Sequence, residues 1–283
     1  MNLYFSIIIP TFNEEKFIPK LLTDLSNQTF KNFEVIIVDR LSQDKTKKVI
    51  DQYKSKLKLI FFFTNIKNVA GQRNFGAKKA QGQYLIFLDA DVRISKGFLK
   101  KVNQYINKNK GLVFIPFIAP EKKYKKYQPF FDLVNLIVEF TQKLPKKFSL
   151  GGSIIIEKNL FSLIGGFDES LFISEDHELI QRVSKWGVIT KFIKSGKVCF
   201  SLRRMEKEGE IKFLSKYFFA FIRRFISKKE IREKIFEYQM GGHLYNNNLE
   251  NKKNDFFNDY LNRVKKLLKD FKKNYKENLK IIG

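Results

Sequence analysis

Two carboxylates, Asp89 and Asp91, stand on either side of one alanine at the end of an apolar run, residues 84–88. Side chains alternate along an extended strand, so both carboxylates would point the same way if the strand continued through them. In a mostly parallel sheet, the carboxyl end of a buried strand faces the ligand crevice, where unneutralised acids are costly. Mg²⁺ and Mn²⁺ take such oxygen ligands together with substrate phosphates. The pair therefore predicts a site for a divalent cation and a diphosphate. The alternative is a strand that ends in a turn, where Asp is common.

The composition is that of a globular chain with a strong positive charge. Of the 283 residues, 43% are apolar, and 54 Lys and Arg against 29 Asp and Glu give a net charge of +25. Such a charge favours nucleic acid, an acidic lipid surface or a phosphorylated substrate as partner, although a general residue bias would also produce it. The single cysteine, Cys199, excludes an intramolecular disulfide, and no run approaches the roughly 18 apolar residues of a membrane span. Because the first residues run into a strand without a signal-peptide pattern, we expect a cytoplasmic location.

The first half of the chain alternates between apolar strands and helices. Strands are predicted at 4–10, 33–39, 57–64 and 84–88. Between them, Leu21, Leu22 and Leu25 recur at helical spacing, and Ser42 with Asp44 could cap a helix that begins near residue 45. This alternation predicts an α/β fold with a Rossmann-like, mostly parallel sheet flanked by helices. The loops at the strand ends would bring further polar side chains to the edge that carries the acidic pair: Asn13, Glu14, Asp39, Asp44 and Arg73.

The second half alternates less regularly. We predict a helix at 95–109, a strand at 112–118, a mobile Lys- and Tyr-rich loop at 121–128, a helix at 130–144 and a strand at 154–157. A further helix is expected to begin after an N-cap at Ser174 and to end at Trp186 and Gly187. These elements predict a catalytic domain at 1–205 and a basic, aromatic helical C-terminal extension at 206–283.

Six short motifs occur in the order and at the spacing of a known family. They are SIIIPTFNE at 6–14, VD at 38–39, GQRNFGA at 71–77, LDAD at 88–91, GGS at 151–153 and ED at 175–176. Over residues 4–200 the chain therefore resembles the family 2 inverting glycosyltransferases. The resemblance implies a GT-A fold, a nucleotide-sugar donor and a divalent cation, either Mn²⁺ or Mg²⁺.

The resemblance also implies roles for individual residues. The donor-binding positions would be Thr11, Glu14, Asp39, Arg73 and Asp89. Within this set, Asp39 would accept a base N–H, Arg73 would lie near the base or diphosphate, and Asp89 would reach the ribose and the metal. Asp91 would be the second metal ligand, and Asp176 would be the general base that deprotonates the acceptor hydroxyl. The alternative for Glu175 and Asp176 is a pair of acids that stabilises a helix N-terminus.

Three positions depart from the family pattern. Residues 40–42, Arg-Leu-Ser, replace a second acid and Gly-Ser after Asp39, which leaves the nucleotide undefined. Arg203 and Arg204 stand where many relatives have a metal-binding histidine, so they could neutralise the diphosphate or an acceptor phosphate, or could be a solvated surface pair. His177 follows the general base, and we interpret it as a helix-surface histidine rather than a metal ligand.

Two C-terminal segments fall outside the resemblance. Residues 212–229 interleave aromatic and basic side chains, which is typical of a helix lying on an anionic membrane or of one packed on the catalytic domain. Residues 256–271 show helical spacing among lysines and predict a peripheral helix that could pair with a partner chain.

The sequence therefore predicts a metal-dependent inverting glycosyltransferase with a sugar or lipid-linked acceptor. It would act in surface polysaccharide or glycolipid synthesis on the inner face of the membrane. A nucleotidyltransferase would need a Gly-rich phosphate loop after the first strand, which residues 11–15 lack. A basic nucleic-acid-binding protein would explain the charge but leaves the acidic pair without a purpose, so no nucleic-acid partner is expected.

Overall fold

The structure is a computed structural model that describes residues 3–144, 147–149, 152–171, 174–209 and 241–242. The chain divides into two compact units, residues 1–201 with 237–244 and residues 202–236 with 245–283. The second unit is described only over 202–209, where α8 spans Arg203–Glu208. The predicted helices at 212–229 and 256–271 lie outside the described residues, and the predicted domains 1–205 and 206–283 stay a prediction.

The described part of the first unit is built around one mixed sheet. Its eight strands are β1 (Phe5–Thr11), β2 (Phe33–Asp39), β3 (Leu59–Phe63), β4 (Tyr84–Leu88), β5 (Arg93–Ile94), β6 (Val113–Pro120), β7 (Ser153–Glu157) and β8 (Thr190–Phe200). Their order across the sheet is β3-β2-β1-β4-β7-β6-β8-β5. The first four strands pair in parallel, as the βαβ pattern predicts, whereas β7 runs antiparallel to both β4 and β6. This arrangement confirms the predicted α/β class.

Helices cover the sheet and supply the second layer of the core. They are α1 (Ile18–Ser26), α2 (Thr46–Asp51), α3 (Val69–Lys79), α4 (Phe98–Asn109), α5 (Gln128–Thr141), α6 (Lys158–Leu163) and α7 (Glu175–Lys185). Every residue of β1 and β2 is buried, which matches the apolar runs at their centres. Near their amino ends, Ser6 Oγ donates to the buried Glu34 Oε1 at 2.7 Å. The predicted leucines Leu21, Leu22 and Leu25 form the buried face of α1. Within the described ranges, no helix has the length and apolar character needed to cross a bilayer.

The segment predicted as a mobile loop at 121–128 is instead a 3-10 helix, Lys122–Tyr127, that leads directly into α5. Tyr124 is buried, and its backbone N–H donates to the Glu121 carbonyl at 2.8 Å. The lysine content suggested a solvated loop, but the segment buries the aromatic ring of Tyr124.

Two predicted helix caps are wrong in detail. Ser174 precedes α7, but it has a left-handed backbone with φ of 70° and makes no side-chain cap, which needs an extended conformation. Asp44 Oδ1 accepts from the Thr46 N–H at 3.0 Å near the start of α2. Ser42 does not join it there, because its hydroxyl bonds to Asp39.

Candidate active site

The carboxyl ends of β1 and β2 meet at a buried hydrogen bond. Thr11 and Asp39 are partners in the parallel register, and Thr11 Oγ1 donates to Asp39 Oδ2 at 2.7 Å. Ser42 donates from its backbone N–H to Oδ1 and from its hydroxyl to Oδ2, both at 2.7 Å. Asp39 is fully buried, so its carboxylate is held by protein donors on both oxygens.

The two loops that follow these strands are tied together by reciprocal bonds. Asn13, with a left-handed φ of 52°, accepts at Oδ1 from the Gln43 N–H at 2.8 Å, and its own N–H donates to Ser42 Oγ at 2.7 Å. The Glu14 N–H donates to Thr46 Oγ1 at 2.8 Å. The motif at 11–14 therefore fixes one loop against the other at the sheet edge.

A short return of the chain contacts the same loop. The Gly242 N–H donates to the Phe12 carbonyl at 3.2 Å. A Cβ on Gly242 would lie 2.7 Å from Glu14 Oε2, so only glycine allows this approach. Gly242 thus belongs to the surroundings of Glu14, although the sequence motifs gave no sign of this.

Helix α3 is buried through polar residues rather than through an apolar stripe. Asn68 caps it, accepting at Oδ1 from the Gly71 N–H at 2.6 Å. Gln72 Nε2 donates to the Thr11 carbonyl at 3.1 Å and to the Val38 carbonyl at 2.8 Å. The helix therefore clamps the ends of β1 and β2 with one amide side chain.

The next residue of α3, Arg73, joins two acids from distant parts of the chain. Its Nη1 donates to Glu175 Oε1 at 2.6 Å and its Nη2 to Asp89 Oδ1 at 2.7 Å, and the side chain is 3% exposed. Burial by itself would lower the pKa of Arg73, but the negative charges of Asp89, Glu175 and Asp176 outweigh it and raise the pKa above its ordinary value. Arg73 therefore stays charged among three carboxylates, and the four groups together carry an excess of negative charge.

Asn74 completes the series by holding the turn that precedes α7. Its Nδ2 donates to the Phe167 carbonyl at 2.9 Å, and its Oδ1 accepts from the Phe167 N–H at 2.9 Å. Gly166 has φ of 71°, and a Cβ there would lie 2.6 Å from Asn74 Oδ1. The glycine turn at 165–168 is thus held against α3, one residue from Arg73.

Asp89 and Asp91 follow β4 directly, as predicted, but they are not part of an extended strand. β4 ends at Leu88, and the Val92 N–H donates to the Asp89 carbonyl at 3.4 Å across a turn. Strand alternation stops at Leu88, so it does not orient Asp89 and Asp91, and the prediction that the two carboxylates point the same way on an extended strand is wrong. Their location at the carboxyl end of β4 is confirmed.

Gly152, the second glycine of the GGS motif, lies close to the side chain of Asp89. β4 pairs with β7 so that Leu88 faces Ser153, which brings Gly152 beside Asp89. Gly152 has φ of 81°, and a Cβ there would overlap Asp89 Oδ2. The glycine leaves room for a carboxylate that is 38% exposed and keeps one oxygen on Arg73.

The oxygen ligands fit a hard divalent cation that brings most of its other ligands with it. Asp89 and Asp91 are both partly exposed and offer carboxylate oxygens. In the part of the chain that the structure describes, no three His, Cys, Asp or Glu side chains form a group that could hold a metal alone. Mg²⁺ and Mn²⁺ accept one or two carboxylates when phosphate and water complete the shell, so the pair is sufficient for a cation bound with a diphosphate.

Asp176 lies in the first turn of α7, beside Glu175, and is buried. Its charge acts on Arg73, so it belongs to the same electrostatic cluster. His177 was expected on the helix surface but is buried: Nδ1 accepts from the Ser149 N–H at 3.3 Å, and the Phe148 ring lies 4.4 Å from the imidazole. The buried face of α7 is wider than its apolar residues indicated.

The remaining predicted residues are placed as follows. Arg203 and Arg204 begin α8 in the second unit, and their contact with phosphate stays a prediction. Arg40, which replaces the second acid of the family pattern, lies with its guanidinium carbon 4.6 Å from the centre of the Phe12 ring. Sequence reasoning missed Gln72, Asn74 and the pairing of Glu175. The signal that could have revealed the first two is the sequence of α3, which places amides and an arginine where a helix packed on a sheet usually has an apolar stripe.

Comparison with known proteins supplies independent information. A sequence profile described as "Glycosyl transferase family 2" matches residues 6–162. The chain is 32% identical over 148 residues to the poly(ribitol-phosphate) beta-N-acetylglucosaminyltransferase TarS of Staphylococcus aureus. This alignment covers 48% of the chain and 26% of TarS. The chain is also 34% identical over 185 residues to an uncharacterized glycosyltransferase of Haemophilus influenzae, covering 63% of the chain and 61% of that protein. The matches thus span less than two thirds of the length of these relatives.

Solved structures share the fold. TarS 1–349 in complex with UDP-GlcNAc aligns over 81% of the chain and 68% of its own length, with a TM-score of 0.58 and 23% identity. The mannosyltransferase PcManGT of Pyrobaculum calidifontis, in complex with GDP-Man and Mn²⁺, aligns over 81% of the chain and 66% of its own length, with a TM-score of 0.63 and 16% identity.

Proposed function

Because the chain belongs to glycosyl transferase family 2, we propose that it transfers a sugar from a nucleotide-sugar donor to an acceptor hydroxyl with inversion at the anomeric carbon. The observation that carries the proposal is the Arg73 cluster. It gathers Asp89 from the end of β4 and Glu175 from α7 around one buried guanidinium. A donor site and a base next to each other are what a single displacement requires.

The donor side is assigned to the sheet edge. The joined loops at 11–15 and 39–46 are the proposed nucleoside site, with Thr11, Glu14 and Asp39 as its residues. Thr11 and Ser42 donate three bonds to Asp39, which leaves one acceptor position on Oδ1. Because Asp39 is fully buried, a base N–H could reach that position only if the neighbouring loop residues shifted. We therefore assign Asp39 mainly to holding Thr11 and Ser42 in place.

Asp89 and Asp91 are assigned to a divalent cation, Mn²⁺ or Mg²⁺. When bound, such a cation neutralises the charge of the departing nucleoside diphosphate. Arg73 holds Asp89 Oδ1 in a fixed position, and Gly152 leaves space at Oδ2. The Mn²⁺ complex of PcManGT supports a cation in this fold.

Asp176 is the proposed general base. The acceptor oxygen forms its bond to the anomeric carbon, the bond to the diphosphate oxygen breaks with its electron pair, and the acceptor proton moves to an Asp176 carboxylate oxygen. The family motif places the base at Asp176, whereas Glu175 Oε1 accepts a bond from Arg73 Nη1. Glu175 would instead hold the start of α7 in position.

The acceptor and the pathway rest on the relatives alone. TarS is named for poly(ribitol-phosphate), and the 28%-identical GgaB of Bacillus subtilis is a minor teichoic acid biosynthesis protein. We propose an acceptor of a cell-surface polysaccharide or a lipid-linked glycan, made on the cytoplasmic side of the membrane. The phosphate-binding role of Arg203 and Arg204 is part of the same proposal.

A panel of nucleotide sugars tests this function. Each would be added to the purified full chain with and without Mn²⁺, and thermal unfolding would be followed, because a ligand that binds only the folded state raises the unfolding temperature. We expect one donor to stabilise the chain in a Mn²⁺-dependent manner. A panel without effect, combined with tight salt-sensitive binding to nucleic acid, would contradict the proposal.

A further inference from the structure

The outward side of α5 carries a row of large apolar side chains in the solvent. Phe130 is 43% exposed, Leu133 54%, Leu136 62% and Phe140 58%. These four residues, here called the α5 apolar face, occupy one side of a helix with 3.6 residues per turn. Single exposed leucines are ordinary, but a contiguous apolar row on one helix marks an interaction surface.

The helix cannot turn this face inward, because its other side is fixed to the sheet. Phe131, Val138 and Thr141 are buried. Asn135 accepts at Oδ1 from the Ile118 N–H at 2.9 Å and donates from Nδ2 to the Ile118 carbonyl at 2.8 Å. This two-point bond to β6 sets the rotation of α5, so the apolar face points outward by construction.

The charge around the face is positive. The two acids of α5 are neutralised from β8: Lys194 Nζ lies 2.9 Å from Glu139 Oε2, and Lys197 Nζ lies 3.8 Å from Asp132 Oδ1. The 3-10 helix at the N-terminal end of α5 adds four exposed lysines, Lys122, Lys123, Lys125 and Lys126. Lys143, also exposed, follows the C-terminal end of the helix.

We propose that the α5 apolar face, with the adjoining lysines, docks the chain on the surface of an anionic lipid bilayer. An interfacial helix requires apolar side chains that enter the headgroup region and lysines nearby that reach the lipid phosphates. The outward side of α5 supplies the apolar side chains, and the 3-10 helix and Lys143 supply the lysines. The proposal is independent of the transferase activity. It also concerns other residues than the predicted segment at 212–229, which lies outside the described residues.

A second copy of the chain fits this surface less well. In a two-fold interface the same patch meets itself. Exposed lysines flank both ends of α5. Parallel or antiparallel pairing of two α5 helices would therefore bring like charges together. An anionic lipid surface complements the lysines at both ends, which is why the proposal commits to lipid.

Vesicle sedimentation of the full chain tests the proposal. The vesicles would contain phosphatidylcholine mixed with phosphatidylglycerol, or phosphatidylcholine alone. The test variant is Leu133→Gln/Leu136→Gln, and the matched control is Leu163→Gln/Ile189→Gln, which changes two apolar residues of 65% and 75% exposure elsewhere. All four side chains are exposed, so thermal unfolding should be similar in the two variants.

We expect the wild type and the control to bind the anionic vesicles, with the α5 variant about tenfold weaker or more, since two leucine burials are lost. Lys125→Gln/Lys126→Gln should weaken binding to anionic vesicles and leave the weak association with phosphatidylcholine unchanged. Equal binding by wild type and the α5 variant, or no preference for anionic lipid, would overturn the proposal. Light scattering that shows a wild-type dimer and a monomeric α5 variant would overturn it as well and would assign the face to a second copy.

Discussion

Arg73 on α3 donates a hydrogen bond of 2.6 Å from Nη1 to Glu175 Oε1 on α7, although the two residues lie 102 positions apart in the sequence. The other nitrogen of the same guanidinium holds Asp89 at the end of β4. One buried side chain therefore sets the distance between the proposed cation site and the helix that carries the proposed base. Substitutions in and around this cluster can therefore be tested separately.

Glu175→Gln should destabilise the fold. The change removes a charge from a bond to a 3%-exposed arginine, and a charge-assisted buried bond contributes about 2 kcal/mol. Urea unfolding of the full chain would measure it. Asp51→Asn is the matched control, because it weakens exposed pairs with Lys47 and Lys54 and should cost less than about 1 kcal/mol. Equal costs for the two variants would contradict a structural role for the Arg73–Glu175 pair.

Gly152→Ala should impair the cation site beyond its effect on stability. A Cβ would push against Asp89 Oδ2, on a backbone with φ of 81°. Gly187→Ala is the control, because Gly187 has φ of 75° with no atom near a Cβ, so both variants share the cost of a left-handed alanine. Calorimetry should show weaker Mn²⁺-dependent binding of the nucleoside diphosphate in Gly152→Ala only. The same affinity in both variants would argue against crowding of Asp89.

Asp91→Asn should abolish Mn²⁺-dependent binding of the nucleoside diphosphate while the fold remains intact. The substitution is nearly isosteric, but an amide oxygen is a much weaker ligand for a hard cation than a carboxylate. Addition of a chelator to the wild type should reproduce the loss. Asp132→Asn, on the outer side of α5, is the control and should bind as the wild type does. Unchanged Mn²⁺-dependent affinity in Asp91→Asn would remove Asp91 from the site.

Parts of this arrangement follow from the sequence, and other parts do not. Apolar runs predicted β1, β2 and β4, because a strand buried on both faces is apolar along most of its length. The acidic pair could then be placed at the end of β4. The role of α3 was missed because its buried residues, such as Gln72 and Asn74, are polar and find their partners far away in the sequence. Periodicity of apolar residues carries no information on such a helix.

The strand pairing in the second half of the chain could not be predicted from local sequence patterns either. The antiparallel insertion of β7 between β4 and β6 brings Gly152 to Asp89, and only a long-range strand pairing produces that contact. His177 and Tyr124 were expected at the surface or in a loop, but both are buried by residues that no local pattern indicates. The family motifs pointed to Asp176, whereas its relation to Arg73 required the structure.

The most direct test of the account is the chemistry of Asp176. The donor identified by thermal stabilisation would be used to measure both donor affinity by calorimetry and turnover with an acceptor, for wild type and Asp176→Asn. The asparagine keeps the size of the side chain but cannot accept the acceptor proton, and loss of a general base typically lowers the rate by about 10²- to 10⁴-fold. We predict that loss together with nearly unchanged donor affinity. Weakened donor binding with preserved turnover of bound donor would contradict the account and would place Asp176 in the donor site or at a helix end only.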